Sequence, residues 1–311
     1  MDSKIKNVLI VGAGLMGRNI AFVTSSCKTY NITVYDVKDV DLVSGIRSGV
    51  QKLIDKGVLT EDEFKERLSR IRFITDLHNA GVSDADIVIE AVFENMQIKK
   101  ETFKNLEAIC RPDCFFCTNS SVMSPTEISS DLQYRERFAG TRFWNPGHLI
   151  PLVEVVRTDA TNDKTVDAVI GFLKSIGKSP CLCKKDVPGF IANRLQHALW
   201  REAFSLIDNG IADAATIDSA IKNSFGLRLP QLSVCENADL AGIDLTWQIH
   251  DYVLQYLEDG HRPAKCLENM RKRNALGFKT GEGFYKWTDE SKEKCSEDLV
   301  AYLIKMLYGK E

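Results

Sequence analysis

The stretch Asn7 to Gly17 constrains this chain more than any other: the apolar run Asn-Val-Leu-Ile-Val closes on Gly12-Ala13-Gly14-Leu15-Met16-Gly17, and a helical pattern follows. A buried strand, a glycine turn and a helix start are implied. The glycines have separate tasks: a tight turn, close approach of a ligand, and close packing of helix on strand. Main-chain N–H groups and the positive helix end then converge where an anion such as a pyrophosphate can sit. A G-x-G-x-x-G pattern alone is a weak sign. Asp36 strengthens it, because it ends the next strand pattern, Asn31 to Tyr35, about twenty residues on, where a carboxylate accepts both ribose hydroxyls and repels a ribose phosphate. A dinucleotide cofactor is expected, NAD ahead of NADP, touched by Gly12, Gly14, Leu15, Met16, Gly17 and Asp36. Lys38, two residues further, pulls the other way by offering a cation to a phosphate.

Further apolar runs at Asp86 to Ala91, Cys114 to Thr118, Phe138 to Phe143 and Leu152 to Val156 read as strands, and Asp41 to Arg70 as a helical excursion. Strands alternating with helices predict an α/β, Rossmann-type doubly wound parallel sheet. The pattern changes at Lys184-Lys185-Asp186-Val187-Pro188-Gly189. Beyond it, Phe190 to Ile207 and Ala212 to Asn223 are helical and no comparable strand precedes Gly283-Phe284-Tyr285. The expected domains are therefore 1–188, an NAD-binding sheet domain, and 189–311, an all-helical C-terminal domain that helps form the substrate cleft.

At 311 residues, 44% of them hydrophobic and 27% charged, the chain has ample material for two globular domains. A formal charge of −3 offers no broad positive field for nucleic acid or anionic lipid, so neither is expected as a partner. No apolar run approaches a membrane span, and Met1 to Lys6 has no leader pattern, so a cytoplasmic protein is expected. Nine scattered cysteines read as reduced thiols. Cys114 and Cys117 form a C-x-x-C pair inside an apolar run without a matching second pair. A buried strand explains them better than a metal site, and no metal is expected.

Several polar groups fall where such sheets bind ligands. Thr118-Asn119-Ser120-Ser121 follows a buried strand; a ligand site and a plain helix N-cap explain it equally well. Glu154 lies alone inside the apolar strand Leu152 to Val156 and needs a partner. Asn193 opens the first helix of the second domain, with His197 and Arg201 one and two turns on along the same face. Those last two also fit an ordinary polar helix face.

From Val8 to Trp287 the chain resembles the 3-hydroxyacyl-CoA dehydrogenase superfamily. The phrases FWNPGHLIPLVEVV, KKDVPGFIANRLQHALWREA and KTGEGFY are most similar to the branch holding lambda-crystallin (L-gulonate 3-dehydrogenase), L-carnitine dehydrogenase and a pyridine-carboxylate dehydrogenase. The resemblance implies NAD-dependent oxidation of a secondary alcohol, with Ser120 bonded to the substrate oxygen and Asn193 assisting. It also implies that Glu154 orients a catalytic histidine, that Glu94, Lys99 and Asn119 lie at the cofactor, and that the helical domain dimerises. A small hydroxy acid is expected as substrate, with a short acyl-CoA kept open by Lys52 and Lys56. A solvated helix face explains those two lysines about as well.

One position departs from the family pattern. Where the family's G-x-H-F-x-N-P carries its base, this chain has Arg142 in Gly140-Thr141-Arg142-Phe143-Trp144-Asn145-Pro146. A guanidinium stays protonated and is a poor proton acceptor. Three outcomes follow. Arg142 pairs with Glu154 or clamps a substrate carboxylate while His148 or His197 takes the proton; or the dehydrogenase is disabled but still binds NAD; or the chain is a cofactor-binding protein of the crystallin kind.

Overall fold

Apolar runs too short for helices become strands here because helices cover both faces of the sheet. The computed structural model describes residues 5–79 and 81–309; the first four residues of the stretch read for a leader lie outside them. The order is β1 (Asn7–Val11), α1 (Leu15–Thr24), β2 (Asn31–Tyr35), α2 (Leu42–Asp55), α3 (Glu61–Leu68), β3 (Ile71–Ile74), β4 (Ile87–Glu90), α4 (Met96–Ile109), β5 (Phe115–Thr118), α5 (Pro125–Ile128), β6 (Phe138–Phe143), β7 (Leu152–Arg157), α6 (Asp163–Ser175) and β8 (Ser179–Cys183). They form one sheet of order β3-β2-β1-β4-β5-β6-β7-β8. Every residue of β4 and β5 is buried, which is why those segments read as unbroken apolar runs.

Alternate strand residues feed two cores. Val8, Ile10, Ile32, Ile87 and Ile89 join α1, α2 and α6 on one face; Leu9, Val11, Val88 and Phe116 meet Phe103 and Leu106 of α4 on the other. Helix α2 shows why the charged excursion folds: Leu42, Ile46, Val50 and Leu53 share one buried stripe, and Asp41 caps the start by accepting from Ser44 N at 2.9 Å. A Thr60/Glu63 capping box starts α3.

The expectation of a parallel sheet needs one correction. β7 runs antiparallel to β6, and β8 is parallel to β7. Only residues 144–151 join β6 to β7, too few for the crossover that parallel strands require. Two edge strands were not expected from sequence, β3 with Arg72 inside it and β8 with Pro180; charge and proline are tolerated at edges. Cys114 and Cys117 are both fully buried in and beside β5.

The chain divides into two units. The first runs to Ala192 and takes back the residues from Glu297 on; the second is Asn193–Ser296. The helices are α7 (Ala192–Asp208), α8 (Ala214–Lys222), α9 (Phe225–Arg228), α10 (Val234–Ala241), α11 (Ile243–Val253), α12 (Lys265–Lys272) and α13 (Asp289–Tyr308). The second unit is thus shorter than the segment 189–311 read as one domain. The reason is apolar: Ile304, with Val300 and Leu303, packs into the core of the first unit, and Lys52 of α2 pairs with Glu297 at 2.6 Å. Around Gly283-Phe284-Tyr285 the described residues show only the isolated bridges Gly277 to Glu282 and Glu282 to Lys286.

Candidate active site

The candidate residues other than Asn193 and His197 lie in the first unit, at or beyond the carboxyl ends of β1, β2, β4, β5 and β6 and toward the amino end of antiparallel β7. At the β1 end, Gly12 has φ 106°, and a Cβ there would lie 2.6 Å from the Ala91 carbonyl. A Cβ on Gly17 would lie 1.8 Å from the Gly12 carbonyl, whereas one on Gly14 would meet nothing within 4 Å. Two of the three glycines are thus demanded by the fold. The third borders open space, at the start of an α1 that has no side-chain cap. N–H groups left for an outside anion are what a dinucleotide pyrophosphate needs.

Asp36 is fixed beside this loop, accepting from Ala13 N at 2.8 Å on one oxygen and from Lys38 N at 3.0 Å on the other. Lys38 therefore contributes its backbone N–H to the acid. Leu15, Val37, Phe93 and Val122, after β1, β2, β4 and β5, are each more than 60% exposed, and Met16 is partly buried. Apolar side chains left open along one sheet edge, next to an N–H cradle and a fixed carboxylate, fit a nucleotide cofactor with flat rings.

The second half of the site is one connected polar network. Glu90, the last residue of β4 and 0% exposed, accepts from Lys99 Nζ at 2.6 Å, Thr118 Oγ1 at 2.6 Å and Val92 N at 2.7 Å. Lys99 is 1% exposed and also lies 3.3 Å from Glu94 Oε2. Its ammonium is thus enclosed between the two glutamates. Glu94 Oε1 accepts from Ser120 Oγ at 2.5 Å, Ser121 N at 2.8 Å and Val122 N at 3.3 Å. Burial pulls the Glu94 carboxyl upward, yet these hydrogen bonds and the charge of Lys99 outweigh it and hold the group below the ordinary glutamate value. Asn119 uses Oδ1 to accept from Phe143 N at 2.9 Å, tying the end of β5 to β6.

Arg142 and Glu154 stand directly opposite each other on antiparallel β6 and β7. Their closest approach, Nε to Oε2, is 3.9 Å, and Arg142 Nε is buried without a hydrogen-bond partner among the described residues. The guanidinium lies 4.7 Å over the Trp144 ring and donates through Nη1 to Ser121 O at 2.8 Å. Burial lowers its pKa, opposed by the carboxylates of Glu154 and Glu94. Glu154, fully buried, accepts from Ile191 N and Ala192 N at 2.9 Å and from Trp144 Nε1 at 3.2 Å.

The imidazoles proposed as substitute bases are placed less favourably. His148 is half-buried with Nδ1 3.2 Å from Asn19 Oδ1, and burial together with Lys178 pushes its pKa down to about 4. Lys178, itself lowered to about 8 by burial, holds that loop by donating to Gly147 O and Ile150 O. His197 is exposed on α7, edge-on to Trp200 at 5.0 Å, and Asn193 opens the second unit. Sequence reading overlooked Glu90, although an acid ending an apolar strand with a lysine nine residues on was the available signal. Among the described residues no group of three or more His, Cys, Asp or Glu could hold a metal ion. None of their helices is long and apolar enough to cross a membrane.

Comparison with known proteins agrees with this geometry. Residues 7–187 match the NAD-binding domain of 3-hydroxyacyl-CoA dehydrogenase, and residues 189–287 match its C-terminal domain. Human mitochondrial hydroxyacyl-coenzyme A dehydrogenase is 35% identical over 292 residues, covering 91% of each chain. A probable 3-hydroxybutyryl-CoA dehydrogenase of Deinococcus radiodurans is 36% identical over 282 residues, 89% of this chain and 99% of that protein. The crystal structure of a 5-formyl-3-hydroxy-2-methylpyridine 4-carboxylic acid 5-dehydrogenase, described as an NAD+-dependent dismutase, superposes with a TM-score of 0.87 at 27% identity, over 99% of this chain and 100% of that one. With a dinucleotide cradle, a polar cluster beside it and both domains matched, this chain belongs to the 3-hydroxyacyl-CoA dehydrogenase family of NAD-dependent oxidoreductases.

Proposed function

We propose that this chain oxidises the secondary alcohol of a small 3-hydroxy acid whose carboxylate is free, and that Arg142 holds that carboxylate. The observation carrying this reading is the half-spent guanidinium: Nη1 is bonded, Nε has no hydrogen-bond partner among the described residues, and Trp144 fixes the plane. A planar guanidinium so held suits two-point binding of a carboxylate. Two further facts favour a free acid over a thioester. Lys52, one of the two cations an acyl-CoA would draw on, is paired with Glu297. The pyridine-carboxylate enzyme also matches this chain nearly end to end.

NAD, when bound, supplies the hydride acceptor. The Gly12 to Gly17 loop and the α1 N-terminus would hold its pyrophosphate and Asp36 its ribose. In this reading Ser120 holds the substrate oxygen, and Glu154 fixes Trp144 and the Ile191 and Ala192 N–H groups beside Arg142.

The test follows NADH absorbance with 3-hydroxybutyrate, L-gulonate, L-carnitine and 3-hydroxybutyryl-CoA. One of the free acids is expected to exceed the thioester in kcat/KM by about tenfold or more, as a shared charge-assisted contact would give. Turnover of the thioester alone would overturn the substrate class. A second reading has its own support, since Glu154 is committed to three N–H donors and the His148 ring has been pushed far below neutrality. In that case the native chain binds NAD without turnover and only Arg142→His is active.

Homodimerisation through the helical unit belongs to the same proposal. None of α9 to α12 has a buried residue, and Val234, Leu240, Ile243 and Trp247 are each more than 60% exposed, a surface suited to a second copy of the chain. A cytoplasmic location accords with nine free cysteines.

A further inference from the structure

We infer that Glu94, acting through Ser120, takes the substrate proton in place of the histidine this chain lacks. The inference rests on the dehydrogenase reading above and specifies how the site works without an imidazole. Ser120 Oγ donates its only proton to Glu94 Oε1 and accepts from Met123 N at 3.0 Å. A hydroxyl has one donor and two lone pairs, so a single lone pair remains for a ligand. Only a donor can bind there, and the substrate alcohol is a donor. A substrate hydroxyl bonded to Ser120 completes a line from substrate oxygen to Ser120 Oγ to Glu94 Oε1.

The step balances along that line. The carbinol C–H bond breaks with its electron pair leaving as hydride to NAD. The hydroxyl proton passes to Ser120 Oγ as Ser120 gives its own proton to Glu94, and the substrate carbon becomes a carbonyl. Glu94, 36% exposed at its side chain, then returns the proton to water.

Uptake balances the local charge, while the hydrogen bonds to Glu94 and the Lys99 ammonium oppose it and make the carboxylate a weak acceptor. The groups facing Glu94 and their direct partners are Lys99 from α4, Glu90 from β4, Arg142 from β6 and Glu154 from β7. Two cations stand against three carboxylates, so one proton brings the cluster to neutrality. The hydrogen bonds that hold Glu94 below the ordinary glutamate value keep it ionised, and so able to accept, throughout the neutral range. Glu94 touches Ser120 and not the reacting atoms, which makes it a positioning and relay group.

Glu94→Gln tests this in the native chain and in an Arg142→His background, with kcat/KM followed against pH and with NAD affinity and melting temperature measured alongside. In the native chain kcat/KM should fall about 100-fold or more, the lower range for a lost general base. In the Arg142→His background the loss should be under about tenfold, since an imidazole again provides a base. The acid limb of the native profile should lie in the carboxylate range, below about pH 5, and move toward about 6.5 in Arg142→His. An equal loss in both backgrounds, or a native limb in the imidazole range, overturns the relay.

Should Gln lower the melting temperature, Glu94→Asp decides: activity that falls with a carboxylate limb supports the relay, and a profile flat between about pH 4 and 6 overturns it. The two levels of the reading fail differently. If the native chain binds NAD yet turns over nothing while Arg142→His is active, the dehydrogenase reading falls and takes the relay with it. If the native chain is active and Glu94→Gln is unimpaired, only the relay falls.

Discussion

Two fully buried glutamates, on β4 and β7, are satisfied in opposite ways. Glu90 binds its cation closely: Lys99 donates at 2.6 Å, and Thr118 and the Val92 N–H complete the shell. Glu154 is served mainly by neutral donors, the Ile191 and Ala192 N–H groups and the Trp144 indole, and its cation stands off at 3.9 Å. A tight buried pair serves itself, because neither charge can leave without stranding the other. A carboxylate already satisfied by N–H groups leaves the facing guanidinium available to an incoming anion. The Glu90–Lys99 pair is therefore scaffold, and the β6–β7 end is where an anionic ligand can compete.

Three substitutions would break or sharpen this contrast. Lys99→Met should have the largest effect, about 3–5 kcal/mol of stability in denaturant unfolding, because it leaves Glu90 charged, buried and without its cation. A loss under about 1 kcal/mol would mean that Thr118 and Val92 suffice, and the contrast would vanish. Glu154→Gln should come next, at about 1–3 kcal/mol, since an amide keeps one acceptor oxygen but turns N–H donors toward the Ile191 and Ala192 amides or the guanidinium. Retention of full stability would show that one oxygen serves all three donors. Arg142→Met should cost least, about 1 kcal/mol for the bond to Ser121 O, with NAD affinity unchanged. A cost equal to that of Lys99→Met would show Arg142 to be as structural as Lys99.

Much of the sheet is legible in the sequence, because strands buried on both faces leave short, mainly apolar runs, as in β1, β4 and β5, and β2, β6 and β7 show as strand-like segments with polar residues among them. β3 and β8 are not legible, since Arg72 and Pro180 erase the signal in short edge strands. The glycine loop and Asp36 are legible because backbone geometry dictates residue type there. Glu154 is visible as a lone acid in an apolar strand, but its opposition to Arg142 depends on an antiparallel register that no local pattern fixes. The enclosure of Lys99 escapes for a related reason: a lysine predicts solvent, and only the tertiary placement of Glu90 and Glu94 reverses that. Residues Leu299 to Tyr308 are apolar nearly all round, broken only by Lys305, so no pattern there marks Ile304 as the buried position.

That last placement bears on how the protein is made. Ile304 is 1% exposed within a core it shares with strands near the start of the chain, and the whole second unit is synthesised before it. As the polypeptide emerges from the ribosome, the sheet can pair long before this apolar seat is filled. Until the returning helix arrives, the flank near α2 stays uncovered, so the nascent chain exposes a sticky surface while its helical segment is translated. A product truncated within the second unit would keep its cofactor loop intact and still be open to chaperones and proteases at that flank.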